Sequence, residues 1–106
     1  MVFEVVWHPS ASIDLEGEIE YVCQQFGWDA SKKCYEEVME RVGLLSSFPY
    51  LGVLFEGIAY HGNEVRMFYF RQNTIVYSIA NDQITIIAFW NNLQDPLRLE
   101  KTIGSQ

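Results

Sequence analysis

Few residues in this chain are of a type and spacing that could do chemistry. Arg66 and Arg71 are the cations of the expected sheet, and an arginine can hold a phosphate or a carboxylate through a planar fork of donors. Arg66 could meet an anionic target or an acidic partner residue. It could equally pair locally with Glu64 or Glu56. Arg71 stands at a turn, where a solvated surface residue is the ordinary outcome. These two are the candidate catalytic side chains, and neither comes with a neighbour set that names a reaction. His8 and His61 would be an acid/base pair only if the fold joined them, and His8 beside Pro9 reads as a helix-start residue. Two histidines without Cys/His spacing do not make a zinc site, so no metal and no cofactor is expected. Cys23 and Cys34 read as buried, reduced thiols on two helices. Tyr69 and Tyr77 read as sheet packing. Trp90 ends the last strand, where it can plug the helix–sheet core.

The elements that must position these residues follow from periodicity. Val2–Trp7 reads as a first strand, stopped by His8-Pro9-Ser10, with Ser10 able to cap. Leu15, Ile19, Val22, Cys23 and Phe26 then fall on one helical face. Gly27 ends that helix and Asp29 can cap a second. Cys34, Val38, Val42 and Leu45 give the second helix its buried stripe, and Ser46-Ser47-Phe48-Pro49 stops it. So short a break at Gly27 makes an antiparallel helical hairpin. Residues 49–63 hold four Gly or Pro and read as an ordered loop, with at most a short strand near Ile58–Tyr60. Strands are expected at about 64–71, 74–80 and 83–90, broken at Gln72-Asn73 and Asn81-Asp82. The tail from Asn91 is polar. The expectation is one α+β domain over residues 1–106, in the order β-α-α-β-β-β. The helical hairpin packs on one face of a mostly antiparallel sheet. Spacing alone does not fix where the first strand lies in that sheet.

Side chains alternate across a strand. Ile75, Tyr77 and Ile79, with Ile84, Ile86, Ala88 and Trp90, form the more apolar set and are assigned to the helices. Val76, Ile87 and Phe89 are left on the other face, which Phe68 and Phe70 can join. A two-layer domain has nothing to cover them, and an apolar face of this kind marks a protein interface. The alternative is that loop 49–63 folds back over it. Arg66, Phe68, Val76, Ile87 and Phe89 are thus the candidate partner-binding residues.

The chain has 106 residues, enough for a core without disulfides or metal. Fourteen acidic residues face seven basic ones, and the excess is local: residues 1–56 hold ten Asp/Glu and three Lys/Arg. That half repels a polyanion, so free nucleic acid is a poor partner. Met1 leads directly into a strand, no secretory pattern is seen, and no apolar run nears the roughly 18 residues that span a bilayer. The expected compartment is the cytoplasm, with no membrane partner.

Several short motifs, in order, resemble those of the RelE/ParE toxin superfamily, the plasmid stabilisation toxins. The family opens with an aromatic-tipped strand and a helix reading A-x-x-D-L-x-x-I-x-x-Y. From Trp7 on, Ala11, Asp14, Leu15, Glu18 and Tyr21 stand at its positions and fit most of it, Glu18 taking the place of the isoleucine. Phe48-Pro49 with Gly52 is similar to its P-x-x-G. Gly62-Asn63-Glu64-Val65-Arg66 resembles the start of its meander, Ile75-Val76-Tyr77 its I-x-Y strand, and Gln94-Asp95-Pro96 its Q-D-P. The resemblance runs from the first strand to about Leu99. It implies a growth-inhibiting toxin of a type II toxin–antitoxin module, held by a cognate antitoxin.

Two departures bear on activity. The family usually has Arg before the I-x-Y isoleucine, where this chain has Thr74. It commonly has H-x-R before Q-D-P, where this chain has Asn91-Asn92-Leu93. The ribosome-dependent mRNA-cleaving members use several Lys and Arg on the sheet to hold phosphates and stabilise developing charge. The sequence therefore resembles the ParE-like members, which act by protein binding on a large target such as DNA gyrase. Two alternatives stay open: a RelE-like endoribonuclease, and a non-toxic interaction module, for instance a homodimer. The charge distribution predicts negligible affinity for DNA or RNA at physiological salt. A gel shift at low micromolar protein that persists at about 0.15 M salt would overturn this.

Overall fold

The computed structural model describes residues 2–94 and 96–104. Its elements are β1 (Glu4–Trp7), α1 (Pro9–Phe26), α2 (Trp28–Ser47), β2 (Val53–Tyr60), β3 (Asn63–Phe70), β4 (Asn73–Ala80), β5 (Gln83–Asn91) and α3 (Pro96–Gly104). The α+β class, the helical hairpin and the terminal meander are as expected. A full strand, β2, and a third helix, α3, are additions.

The five strands lie in the order β1-β5-β4-β3-β2. β1 pairs in parallel with β5, from Glu4 opposite Gln83 to Trp7 opposite Ile86, and the other pairings are antiparallel. The start of β1 is tied to the end of α2: the Phe3 N–H donates to Ser46 O at 2.9 Å and Ser46 Oγ donates to Phe3 O at 2.7 Å. α1 is capped by His8, not Ser10. The His8 Nδ1 accepts from the Ser10 N–H at 3.1 Å, and Pro9 occupies the first turn, where its missing N–H costs nothing. Gly27, at φ 93°, joins the helices and precedes α2 directly, so Asp29 lies in its first turn instead of capping it.

Only the end of β2, near Ile58–Tyr60, shows in the sequence, because the strand carries an irregularity. Val53 and Leu54 pair with Met67 and Arg66, but Ala59 pairs with Glu64, so β2 carries extra residues around Gly57, whose φ is 82°. Such a bulge breaks the alternation by which strands are recognised. His61 and Gly62, both at positive φ, then make the two-residue turn into β3.

A second bulge decides the faces of the sheet. Val76 pairs with Ala88 but Tyr77 pairs with Ile86, leaving Ile87 as the extra residue of β5. Alternation flips there. Ile84, Ile86 and Phe89 join Ile75, Tyr77 and Ile79 against Leu15, Val38, Val42 and Leu45 of the hairpin. Ile87 and Ala88 fall on the back face with Val65 and Val76, and Trp90 packs beside them. The assignments of Phe89, Ala88 and Trp90 are thus corrected, each displaced by one bulge. Phe68, opposite Ile75, also lies on the hairpin face and is partly buried there.

The back face is closed by the chain itself. Leu99 and Ile103, one helical turn apart on α3, are buried against Val65, Val76, Ile87 and Ala88, with Phe55, Ile58 and Tyr60 alongside. Val76 and Ile87 have no exposed surface and Phe89 only 4%. The expected open apolar face is therefore absent: the tail covers it together with segment 49–63, which does so as strand β2 and not as a loop. Ile87→Asp should therefore unfold the domain. An unpaired buried charge costs on the order of 3–5 kcal/mol, against a total of about 5–15 kcal/mol for a domain. Thermal unfolding followed by circular dichroism checks this, and a wild-type Tm would show that the back face is not closed.

Candidate functional site

The sequence-predicted residues do not converge on a catalytic centre. Arg66 lies on the hairpin face opposite Tyr77. Its Nη1 donates to Gly52 O at 2.7 Å and Tyr50 O at 3.4 Å, its Nε lies 3.5 Å from Glu64, and its guanidinium sits 5.0 Å from the Tyr50 ring centre. The same loop is held from below by Tyr77. The Tyr77 hydroxyl donates to Pro49 O at 2.8 Å and accepts from the Gly52 N–H at 2.9 Å. A Cβ on Gly52 would stand 2.6 Å from that hydroxyl, so only glycine allows the approach. Pro49, Gly52, Arg66 and Tyr77, scattered in sequence, form one clamp on residues 49–52. Burial pushes the Tyr77 phenol above its ordinary value.

Arg71 reaches Glu37 of α2, with Nη2 at 2.6 Å and Nε at 3.1 Å from Oε2. That pair is largely exposed on the arginine side and worth little to stability. Phe68 and Phe70 lie under Arg41, whose guanidinium carbon is 5.8 and 5.4 Å from their ring centres. His8 belongs to the β1 edge of the sheet and His61 to the turn beyond β2, the opposite edge, so they form no pair. Cys23 and Cys34 are free and only partly buried. Desolvation, with the Glu18 charge second, pushes the Cys34 thiol up and makes it a weaker nucleophile.

The two departure positions do meet. Thr74, on the back face, donates from Oγ1 to Asn92 Oδ1 at 2.6 Å, and the Leu93 N–H donates to Asn91 Oδ1 at 2.9 Å. Neutral groups thus occupy the place where Thr74 and the Asn91–Leu93 segment come together. Asp95 of the Q-D-P motif lies outside the described residues. Asp14, from the opening motif, bonds the Phe89 backbone beyond the point where β1 stops covering β5. Partial burial pushes its carboxyl up, and that hydrogen bond pulls it partway back.

What the fold offers instead is open concave surface beside the hairpin. A cavity of about 560 Å³ lies between α1, α2 and Trp7 of β1. Leu15, Ile19, Cys23 and Met39 line it, with Trp28 and Tyr35 also on its wall. Trp28 is 71% exposed and Tyr35 47%. A second cavity of about 460 Å³, between the helices and the β3–β4 turn, is lined by Val22, Phe26, Lys33 and Arg71 among others. Sequence reading missed the first groove because one buried stripe per helix was sought. The signal was there: Trp28, Ser31, Tyr35 and Met39 recur at i, i+3, i+7 and i+11 on a second face of α2. Phe26, assigned to the buried face, is 72% exposed.

Residues 5–96 match the family described as the ParE toxin of type II toxin–antitoxin system, parDE. The chain belongs to the ParE toxin family. It is therefore the toxin component of a toxin–antitoxin module, and its expected partner is an antitoxin. Its fold is similar to that of a solved structure described as the chromosomal ParDE TA system from P. aeruginosa, at 15% identity and a TM-score of 0.66. The match covers 85% of this chain and 96% of that one. None of the curated proteins is significantly similar to it in sequence. Among the toxin's described residues, no helix is long and apolar enough to cross a membrane.

The clamp gives a direct test of why these motif residues recur together. Tyr77→Phe leaves the Pro49 carbonyl and Gly52 N–H without their partner, which should cost about 1–3 kcal/mol. Because the folded phenol titrates above the unfolded one, wild-type stability should fall as pH rises past the ordinary tyrosine value of about 10. Tyr77→Phe should lose this alkaline slope. Urea unfolding across alkaline pH measures both, and an unchanged slope would show that another group carries it.

Proposed function

We propose that this toxin arrests growth by binding a protein, and that a cognate antitoxin relieves the arrest by occupying it in the cytoplasm. The observation that carries this is the neutral meeting of Thr74 with Asn92, beside Leu93, where the mRNA-cleaving relatives bring arginine and histidine. Two further features support it. Among the described strands Arg66 is the only cation, and its guanidinium is occupied by the Tyr50 and Gly52 carbonyls. The helical hairpin, Pro9–Ser47, carries eight acidic and three basic residues, a surface that repels rRNA. A large protein such as DNA gyrase fits this reading as target better than the ribosome does.

A second reading, self-association, is favoured by one observation. β2 is an edge strand whose Val53 and Leu54 are 59% and 41% exposed, and such edges invite pairing with a second copy. Size-exclusion chromatography with light scattering reads it directly.

The experiment is tightly controlled expression, scored for growth arrest, DNA supercoiling and translation. The expected outcome is arrest without ribosome-dependent mRNA cleavage. Removing one charge-stabilising group typically lowers a rate on the order of 10²–10³-fold, and two such groups are replaced here. Cleavage of mRNA in programmed ribosomes at the rate of an active RelE-like enzyme would sink the proposal.

A further inference from the structure

We propose that a small cavity between α1 and the end of the β4–β5 pair binds a guanidinium group, carried by a free guanidino compound or by an arginine in an extended peptide. The cavity measures about 300 Å³. Asp14, Gly17 and Glu18 of α1 line one side, and Asn73, Phe89 and Asn91 of the sheet line the other.

Asn73 gives the first argument. It stands two residues before Ile75, on the hairpin face of β4, and is only 6% exposed. Among the described residues its side-chain amide has no hydrogen-bond partner. Buried amides are ordinarily bonded, so a ligand in the cavity it lines would supply what the chain does not. Asn91 lies directly opposite it in the ladder. The Asn91 Oδ1 accepts from the Leu93 N–H and keeps a second lone pair.

Gly17 gives the second. A glycine inside a helix is less favourable than alanine, and neither backbone nor packing requires one here. Its φ is not positive, and a Cβ on it would meet nothing within 4 Å. That Cβ would instead take up cavity space. Asp14, Gly17 and Glu18 share one helical face, so the bare glycine leaves the wall open beside both carboxylates.

Charge and shape select the ligand. No Lys or Arg lines the cavity. Among the described residues the ion pairs are Arg66 with Glu64 and Arg71 with Glu37, so Asp14 and Glu18 have no cation of their own. Asn73 and Glu18 also line the neighbouring cavity, but that one already holds Lys33 and Arg71. An anion is repelled here. A bare metal ion is a poor match, because no three His, Cys, Asp or Glu converge among the described residues and the space equals that of about ten waters. The acceptors stand on two walls, carboxylates on the helix and amides on the sheet. A flat cation with donors on opposite edges can reach both, and the guanidinium has five donors in a fixed fork. An ammonium has three around a point.

The test titrates the full chain, with backbone NMR shifts as readout. The probes are agmatine, the pentapeptide Gly-Ser-Arg-Gly-Ser, its lysine and citrulline counterparts, and calcium chloride. Agmatine or the arginine peptide should bind with a Kd of about 1–10 mM and move the signals of Gly17, Asn73 and Asn91. Tighter binding of agmatine would make the source a free compound, and tighter binding of the peptide an arginine residue. The neutral citrulline peptide should bind at least roughly tenfold more weakly, and the lysine peptide more weakly than the arginine one. Glu18→Gln should weaken binding by about tenfold, and Gly17→Leu should abolish it. Two variants separate the site from a structural role. Gly17→Ala should raise the Tm by roughly 4 °C while weakening binding. Asn73→Leu should keep the wild-type Tm while losing about tenfold in affinity, since its amide holds nothing in the fold. Phe26→Ala, in the neighbouring cavity, should change nothing. Should Asn73→Leu unfold, Glu18→Gln on the surface of α1 decides. If no arginine probe binds, if citrulline binds equally, or if Glu18→Gln binds as the wild type does, the proposal is overturned. Calcium binding that Glu18→Gln abolishes, without arginine binding, would make this a metal site and overturn it too. None of these outcomes bears on the reading of the chain as a toxin.

Discussion

Burial of β4 on both sides is the constraint from which the rest of the fold follows. Every residue from Asn73 to Ile79 is buried, so water reaches neither face of the strand. Ile75, Tyr77 and Ile79 demand cover from one side and Val76 and Ser78 from the other. The hairpin meets the first demand, and α3 with the inner residues of β2 meets the second. The bulge at Ile87 fits the same need. It lets β5 send Ile84, Ile86 and Phe89 to the hairpin core and Ile87 and Ala88 to the back core. The back core is the smaller of the two. Among the described side chains of α3, Leu99 and Ile103 are buried in it, and full burial of such a side chain is worth about 1.5–3 kcal/mol. α3 is thus held by far less than the hairpin is.

The residues that carry the family resemblance serve this scaffold. Pro49, Gly52, Arg66 and Tyr77 fasten one loop across the end of the sheet. Asp14 covers β5 where β1 leaves it. Each of these groups bonds backbone atoms, and a backbone atom left without a partner in a buried place is costly whatever the sequence around it. That explains how a toxin can keep these motifs while Thr74 and Leu93 depart from the catalytic pattern. The clamp and the departure at Thr74 occupy different faces: Arg66 and Tyr77 face the hairpin, and Thr74 faces the back.

Much of the fold was legible in the sequence. The helical stripes, the break at Gly27 and the meander strands all follow from periodicity and turn chemistry. What failed did so for local reasons. β2 was legible only near Ile58–Tyr60 because the bulge around Gly57 destroys a period-two signal. The faces of β5 were inverted beyond Ile87 because one inserted residue flips every side chain after it. α3 was missed because two inward residues in a polar tail make a weak stripe. Of the candidate site, Arg66 was found, with its local pairing to Glu64 foreseen. Its bonds to the Tyr50 and Gly52 carbonyls were not, since these pair residues 14 and 16 positions apart. The groove was missed for another reason. A helix with two apolar faces, one turned to the core and one to a groove, was read as having one.

The proposed action by protein binding accords with the arrangement of surface charge and apolar grooves. A catalytic site on nucleic acid needs cations where the phosphate sits, and the described sheet supplies one arginine that is already engaged. A docking surface needs large rigid side chains near the rim, a floor that excludes water, and a field of one sign to reject wrong partners. The hairpin offers the large side chains and an acidic excess, eight Asp/Glu against three Lys/Arg. Trp28 and Tyr35 stand at the groove, Leu15 and Ile19 form apolar lining, and Glu16 and Glu20 set the sign. The carboxylates of α1 do not face cations on α2 within ion-pairing distance; among the described residues the ion pairs join Arg66 to Glu64 and Arg71 to Glu37. Their charge is left to act on whatever approaches, and a polyanion is what it repels.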